Sequence, residues 1–312
     1  MRRVLVIGAG FFGRVIARRL AEVGIAPVVA SHTHGQVRLD VEDGASVRAV
    51  LHEGDVVVDT AGPFQSRSTA LVEAAIELHC DVVDLSDSLA YARSVLAFDH
   101  RAASVGVRIF TSCSAIATVA ASAIRAGASV APETCDLFLA PASADTANPA
   151  TVSAYLASVD WTRSREFPAD RHRGYRVESA ASVLLPRSWP SLRWVDFWVD
   201  PNAPFASTTV ALASRLGLTG LLSVVAPVSA RLVGRRSGSF SVAVSEGGRY
   251  SLTRLSAPRG SYLIAAEPAV LAAEALARGD EFPPGVVRSD GQVDAEALFA
   301  RLRALGVDVS RT

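Results

Sequence analysis

Three features of the sequence predict an α/β chain in two parts: an N-terminal doubly wound parallel sheet, and a second α+β domain built on a mostly antiparallel sheet. Short apolar runs alternate with helical periodicity through residues 1–130, the pattern of strand–helix crossovers. A glycine-rich turn stands between the first run and the first helix. Further on, two β-rich runs flank Gly247-Gly248, a hairpin signal. With 312 residues the chain has room for both parts, placed at 1–130 and 131–312, and for helices within 262–312 to pack back on the first.

The first strand, 4–7, runs directly into Gly8-x-Gly10-x-x-Gly13 and an amphipathic helix. Gly8 permits the tight turn, Gly10 lets the backbone approach a pyrophosphate, and Gly13 lets the helix pack on the strand. Phe11 and Phe12 fill the variable positions. The first N–H groups of the helix, with the positive end of its dipole, face the anion. Strand before and helix after make this the phosphate turn of a dinucleotide-binding Rossmann sheet. A secretory signal is the competing reading of Arg2-Arg3 and the apolar run. Three glycines interrupt that run and Arg14, Arg18 and Arg19 follow it, so a signal is not expected. Gly24 reads as the helix stop.

A second strand, 26–30, ends at Ser31, His32 and Thr33. A site preferring NAD places Asp or Glu there for the ribose 2′-hydroxyl. Two hydroxyls and an imidazole instead suit a 2′-phosphate, with Arg38 within reach; the alternative is an ordinary polar loop. NADP is therefore expected ahead of NAD. A third strand, 36–39, leads to Asp40 and Val41, with Asp40 set either to accept from the adenine amino group or to cap a helix over 44–52. The run 55–59 is a buried parallel strand. Ala61, Gly62, Pro63 and Phe64 follow at its carboxyl end, where open α/β sheets bind ligands. Gly62 allows close approach of a ribose, Pro63 stiffens the loop and Phe64 offers a flat apolar wall. A helix over 67–78, a strand at 82–85, a helix over 89–104 and a strand at 107–110 complete the alternation.

Together these segments resemble the saccharopine dehydrogenase-like oxidoreductases. The features that carry the resemblance are the glycine turn, the Asp40-Val41 pair, the 55–64 strand and loop, and an alanine-rich helix before Val83-Asp84-Leu85-Ser86. The resemblance covers about residues 1–125 and implies a nicotinamide cofactor with its phosphates on Gly8–Gly13 and its nicotinamide end beside Ala61, Gly62, Pro63 and Phe64. Residues 260–276 resemble the family's returning helix. The chain departs from the family after residue 110, where a glycine- and proline-containing turn is usual and Thr111-Ser112-Cys113-Ser114 stands instead. Cys113 and Ser114 there read either as groups near the nicotinamide or as a buried thiol and a helix cap before a helix over 117–126.

Composition narrows the chemistry. Acidic and basic residues balance at 31 each, which gives no electrostatic case for nucleic acid. Every basic side chain is arginine, so lysine Schiff-base and lysine acid–base chemistry are excluded. Cys80, Cys113 and Cys135 are too scattered for a disulfide framework and suit a reducing cytoplasm; the six histidines show no metal-ligand pairing. No metal is expected.

In the second half strands are expected at 135–140, 182–185, 194–199, 205–211, 239–244 and 250–255. Helices are expected at 149–159, 262–277 and 294–305, and an irregular Arg-rich stretch at 161–176. Residues 216–230 carry no charge but are short for a membrane span and interrupted by Pro227, so a buried or interface helix is expected ahead of membrane contact. Asp84, Tyr91, Cys113, His172 and Tyr175 are the candidates for catalysis, with Gln65, Ser66, Ser86 and Asp87 nearby on the same sheet edge. Arg163, Arg165, His172, Arg173 and Tyr175 form the polar cluster suited to an anionic substrate. The expected function is NAD(P)-dependent hydride transfer to or from a C=N, C=O or C=C group of a small molecule. A dinucleotide sensor without turnover and a membrane-associated reductase are the alternatives, and a homodimer is left open.

Overall fold

The computed structural model describes residues 1–168, 172–202 and 234–312. The first sheet follows from the valine-rich runs. Strands β1 (Val4–Ile7), β4 (Val56–Asp59) and β5 (Asp81–Asp84) are buried along their whole length, as expected when helices cover both faces of a parallel sheet. β2 (Val28–Ser31), β3 (Val37–Arg38), β6 (Arg108–Phe110) and β13 (Gly285–Val286) extend it. The order is β3-β2-β1-β4-β5-β6-β13 with every pair parallel. The order reverses between β1 and β4, which opens a crevice at their carboxyl ends.

Helix α1 (Phe11–Glu22) begins at Gly10 and buries Val15, Ile16 and Leu20, leaving Arg14 and Arg18 exposed. Gly24 stops it at φ +84°. Asp43, not Asp40, caps α2 (Gly44–Val50) through Ala45 N. The helix expected from residue 67 starts later, as α3 (Ala70–Glu77), because a 3-10 turn over Phe64–Ser66 comes first. The long helix expected over 89–104 is two, α4 (Leu89–Leu96) and α5 (Asp99–Ser104). A π-helical turn (Ala115–Val119) precedes α6 (Ala120–Ala126).

The second sheet runs β14-β12-β11-β7-β10-β9-β8. Its strands are β7 (Thr134–Ala140), β8 (Val159–Glu166), β9 (Arg173–Val177), β10 (Trp194–Val199), β11 (Gly238–Glu246), β12 (Arg249–Ala257) and β14 (Asp308–Arg311). Among the described residues only β7 and β10 of this sheet pair in parallel, so it is mostly antiparallel. Gly247 and Gly248, at φ +54° and +77°, form the β11–β12 hairpin, as the sequence predicts. Among the described residues the helices here are the short α7 (Ser143–Thr146), α8 (Pro149–Ser158), α9 (Ala181–Ser188), α10 (Leu263–Arg278) and α11 (Ala295–Ala304).

Two expectations fail in this half. Residues 182–185 are helical because Ala181, Leu184 and Leu185 turn one face into the core, a spacing that a four-residue apolar run conceals. The Arg-rich 161–176 stretch contributes to β8 and β9. β8 is an edge strand with Arg163 and Arg165 exposed, so it lacks the hydrophobic signature of a central strand. The strand expected at 205–211 and the uncharged 216–230 segment lie outside the described residues. Among the described residues no helix is long and apolar enough to cross a membrane.

α10 joins the two parts. Ala266, Ala269, Val270 and Ala273 bury into the cluster that also contains Val4, Val6, Val56 and Val58. Glu267, fully buried on this helix, pairs with Arg19 of α1 at 2.6 Å.

Candidate active site

The glycine turn has the geometry its sequence calls for. Gly8 stands at φ +103°, and a Cβ there would meet Thr60 Oγ1 at 2.7 Å. A Cβ on Gly13 would lie 1.8 Å from the Gly8 carbonyl oxygen, so only glycine lets α1 sit this close to β1. A Cβ on Gly10 would meet nothing within 4 Å and would project into open space above the helix N-terminus. These three facts fit a pyrophosphate cradle: two glycines are required by the fold, and the third is free to be required by a ligand.

A cleft of about 370 Å³ extends from this turn across the β1/β4 crevice. Of the residues expected to bind cofactor, Gly8, Ser31, His32, Asp40, Val41, Ala61, Gly62 and Pro63 line it. Thr33 is exposed in the loop beyond and does not. Ser31 Oγ accepts from His34 N at 2.9 Å, which shapes that loop. Asp40 Oδ1 accepts from Glu42 N at 3.0 Å. Phe64 corrects the expectation of an apolar wall: its ring is 8 % exposed and packs on Tyr91, centroids 5.1 Å apart, beneath the loop rather than in the cleft. Phe12 turns toward the core, whereas Phe11 faces the second cleft described below.

Sequence reasoning missed Arg67, which also lines the cleft. Its guanidinium is 3.1 Å from Asp59 Oδ2 and 2.7 Å from Glu42 Oε1, donates to the Ala61 carbonyl, and lies over the Phe64 ring at 5.4 Å. Asp59 is fully buried and accepts from Ala61 N at 3.0 Å. Burial pushes the Asp59 carboxyl up, and Arg67 pulls it back. One arginine thereby fixes both ends of the 61–64 loop and neutralises two carboxylates at the cleft. The legible signal was a lone cation a few residues beyond an acid that ends a buried strand.

A second cleft, about 490 Å³, opens beyond Phe11, lined by Asp145, Arg236, Arg259, Gly260 and Tyr262 among others. Phe11 and Tyr262 meet edge to face at 5.0 Å and form its floor toward α1. Among the described residues neither Arg236 nor Arg259 has a carboxylate partner. Both went unnoticed in the sequence because they stand in loops with no periodicity.

The catalytic candidates line neither cleft. Asp84 and Cys113 are fully buried and Tyr91 is 2 % exposed, under the carboxyl edge of the first sheet. Burial raises the Cys113 thiol, and no base touches it, so it is a packed core thiol. Ser114 holds the N-cap position of the π-helical turn but makes no capping hydrogen bond with its side chain. His172 Nδ1 lies 2.7 Å from Asp200 Oδ2, and Tyr175 packs on Trp161 at 4.9 Å. The Arg-rich cluster lies on the adjacent strands β8 and β9. Arg165 pairs with Asp136 and lies over Phe138 and Trp198, while Arg173 is exposed and donates to Ser164 Oγ. Among the described residues no group of His, Cys, Asp and Glu is arranged to hold a metal ion.

Strand order, glycine turn and crevice define a dinucleotide-binding domain of the Rossmann class. Residues 4–110 match the family described as "Saccharopine dehydrogenase NADP binding domain". Among solved structures, C. glutamicum DAP dehydrogenase in complex with DAP shares the fold at 15 % identity and TM-score 0.51, over 97 % of this chain and 98 % of that one. GenD2 from gentamicin A biosynthesis, in complex with NAD, aligns over 100 % of this chain and 97 % of that one, with 14 % identity and TM-score 0.45. The WlbA dehydrogenase from Thermus thermophilus, in complex with NAD and alpha-ketoglutarate, covers 98 % and 96 % with 13 % identity and TM-score 0.44. No curated protein sequence matches.

Proposed function

We propose that this protein is an NADP-preferring oxidoreductase that passes a hydride between the nicotinamide and a C=N, C=O or C=C carbon of a small molecule. The observation that carries this reading is the cleft at the strand-order reversal, which starts at Gly8 of the glycine turn, while Gly10, the N-cap of α1, has open space where a Cβ would stand. Gly8, Gly10 and Gly13 would hold the pyrophosphate, Asp40 and Val41 the adenine, and Ala61, Gly62 and Pro63 the nicotinamide-side ribose. The nicotinamide, when bound, supplies or accepts the hydride. Ser31 and His32 stand where an NAD site keeps a carboxylate, which supports NADP, as does the description of the matched family. Arg67 keeps the ribose-facing loop in place. The substrate would enter the second cleft, where Arg236 and Arg259 can receive an anionic group.

The test is cofactor turnover, with NADPH and NADP each offered panels of imines, ketones, enoyl compounds and their reduced counterparts. Turnover on any of them supports the proposal. Saturable NADPH binding with no turnover on the whole set would replace the enzyme by a dinucleotide sensor.

A further inference from the structure

Asp55 and Asp59 bracket β4, and Asp81 and Asp84 bracket β5. Three of these acids are answered by guanidinium groups. Arg3 Nε donates to Asp55 at 2.9 Å, Arg2 and Arg108 hold Asp81, and Arg67 holds Asp59. Asp84 alone has no cation partner among the described residues, although it is fully buried at the carboxyl edge of the sheet.

Asp84 bonds to backbone instead. Oδ1 accepts from Ser86 N and from Ser112 N, each at 2.9 Å, and the Asp84 carbonyl accepts from Cys113 N at 2.7 Å. Oδ2 has no hydrogen-bond partner. Ser112 stands at φ +53°, a left-handed conformation that serine rarely adopts, and its hydroxyl donates to the Ser86 carbonyl. Ser112 O in turn receives Ser114 N at 2.7 Å, and the π-helical turn hangs from Ser114 O through Thr118 N and Val119 N. One carboxyl group thus ties the loop leaving β5 to the turn leaving β6. This is the turn in which the chain lacks the glycine and proline usual in the saccharopine dehydrogenase-like pattern.

We infer that Asp84 is a positioning residue of the reaction edge, whose carboxylate holds Ser112 left-handed and so locks the 111–114 turn against the loop after β5. The placement at a reaction edge rests on the function proposed above; the clamp itself does not. Its grip is tied to pH. Burial pushes the Asp84 carboxyl up to about 7, opposed by the Ser112 and Ser86 N–H groups and reinforced by the Asp59 charge. The other titratable groups within electrostatic reach are Tyr91 and Cys113, neither of them a cation. Ionisation converts two neutral N–H···O bonds into stronger charge-assisted ones.

Two opposite trends follow. A carboxyl raised above its unfolded value of about 3.9 stabilises the whole fold below that value and loses this contribution as pH rises toward about 7. The local clamp strengthens over the same interval. The experiment is amide hydrogen exchange at residues 111–114, corrected for intrinsic rates, with thermal unfolding across the interval from acid to mildly alkaline pH. It uses the full chain, Asp84→Asn, Asp84→Ala, and Asp84→Ala combined with Ser112→Gly. We expect exchange at Ser112 and Cys113 to slow about three- to tenfold in the wild type as Asp84 ionises, and to show no such step in Asp84→Asn. Asp84→Ala exchanges fast throughout, and adding Ser112→Gly, which tolerates positive φ without a clamp, recovers part of the lost thermal stability. A persisting pH step in Asp84→Asn, or unchanged exchange in Asp84→Ala, overturns the inference. Failure of the wild type to bind NADPH would count against the proposed function only.

Discussion

Replacing Arg67 by methionine removes the cation that compensates Asp59, while a side chain of similar length still covers Phe64. Arg67 is 5 % exposed and Asp59 0 %, so the pair has little solvent screening. Breaking a buried pair from one side costs about 3–5 kcal/mol, chiefly because the other charge is left unanswered. The loss has a defined pH dependence. Burial already raises the Asp59 carboxyl and Arg67 lowers it, so the Arg67→Met variant shifts it further up. A raised carboxyl destabilises as pH rises, so the deficit of the variant grows from acid toward neutral pH and shrinks when Asp59 takes a proton. Asp59→Asn in the same background removes the charge and keeps an acceptor for Ala61 N, recovering a substantial part of the loss. Urea unfolding followed by tryptophan fluorescence measures this as a shift in midpoint at constant slope. A deficit below about 1 kcal/mol, or a double variant as unstable as the sum of the two singles, would refute the assignment of Arg67 as the support of the cleft loop.

Two further predictions address the glycine turn and the cofactor choice. Gly13→Ala places a methyl group 1.8 Å from a backbone oxygen, so α1 must move off β1 at a cost of about 1–3 kcal/mol, read from the same unfolding curves. Ser31→Asp keeps an acceptor for His34 N but puts a carboxylate in the cleft; NADPH affinity should fall about tenfold or more relative to NADH in a fluorescence titration.

The first sheet was legible because each local signal agreed with the next: valine runs, glycine turn and a helix of the right periodicity all describe one crossover repeated. The residues lining the first cleft followed from that agreement, since Gly8, Ser31, Asp40 and Ala61 sit at strand ends whose order is set by the repeat. What escaped depended on distant partners. β13 is two residues long and exists because Gly285 and Val286 pair with Arg108 and Ile109, with Asp99 accepting from Val286 N at 2.8 Å. Phe64 was assigned to the cleft because a loop aromatic beside a ligand edge has no local feature that sends it inward; its packing on the distant Tyr91 does that. The acids Asp59 and Asp84 look alike in sequence, each ending a valine strand, and differ in that an arginine reaches Asp59 while Asp84 is held by the backbone of two loops.

The central claim is that the crevice beside the glycine turn holds a dinucleotide, with its pyrophosphate at Gly10. It is tested most directly by calorimetric titration of NADPH into the wild-type protein and Gly10→Val, with thermal unfolding of both in the absence of cofactor. A Cβ added at this position meets no protein atom within 4 Å, so the account predicts melting of the variant close to wild type and NADPH affinity lowered about 100-fold or more, equivalent to about 2.7 kcal/mol. Equal NADPH affinity in the two proteins, or no saturable binding to the wild type, would contradict it.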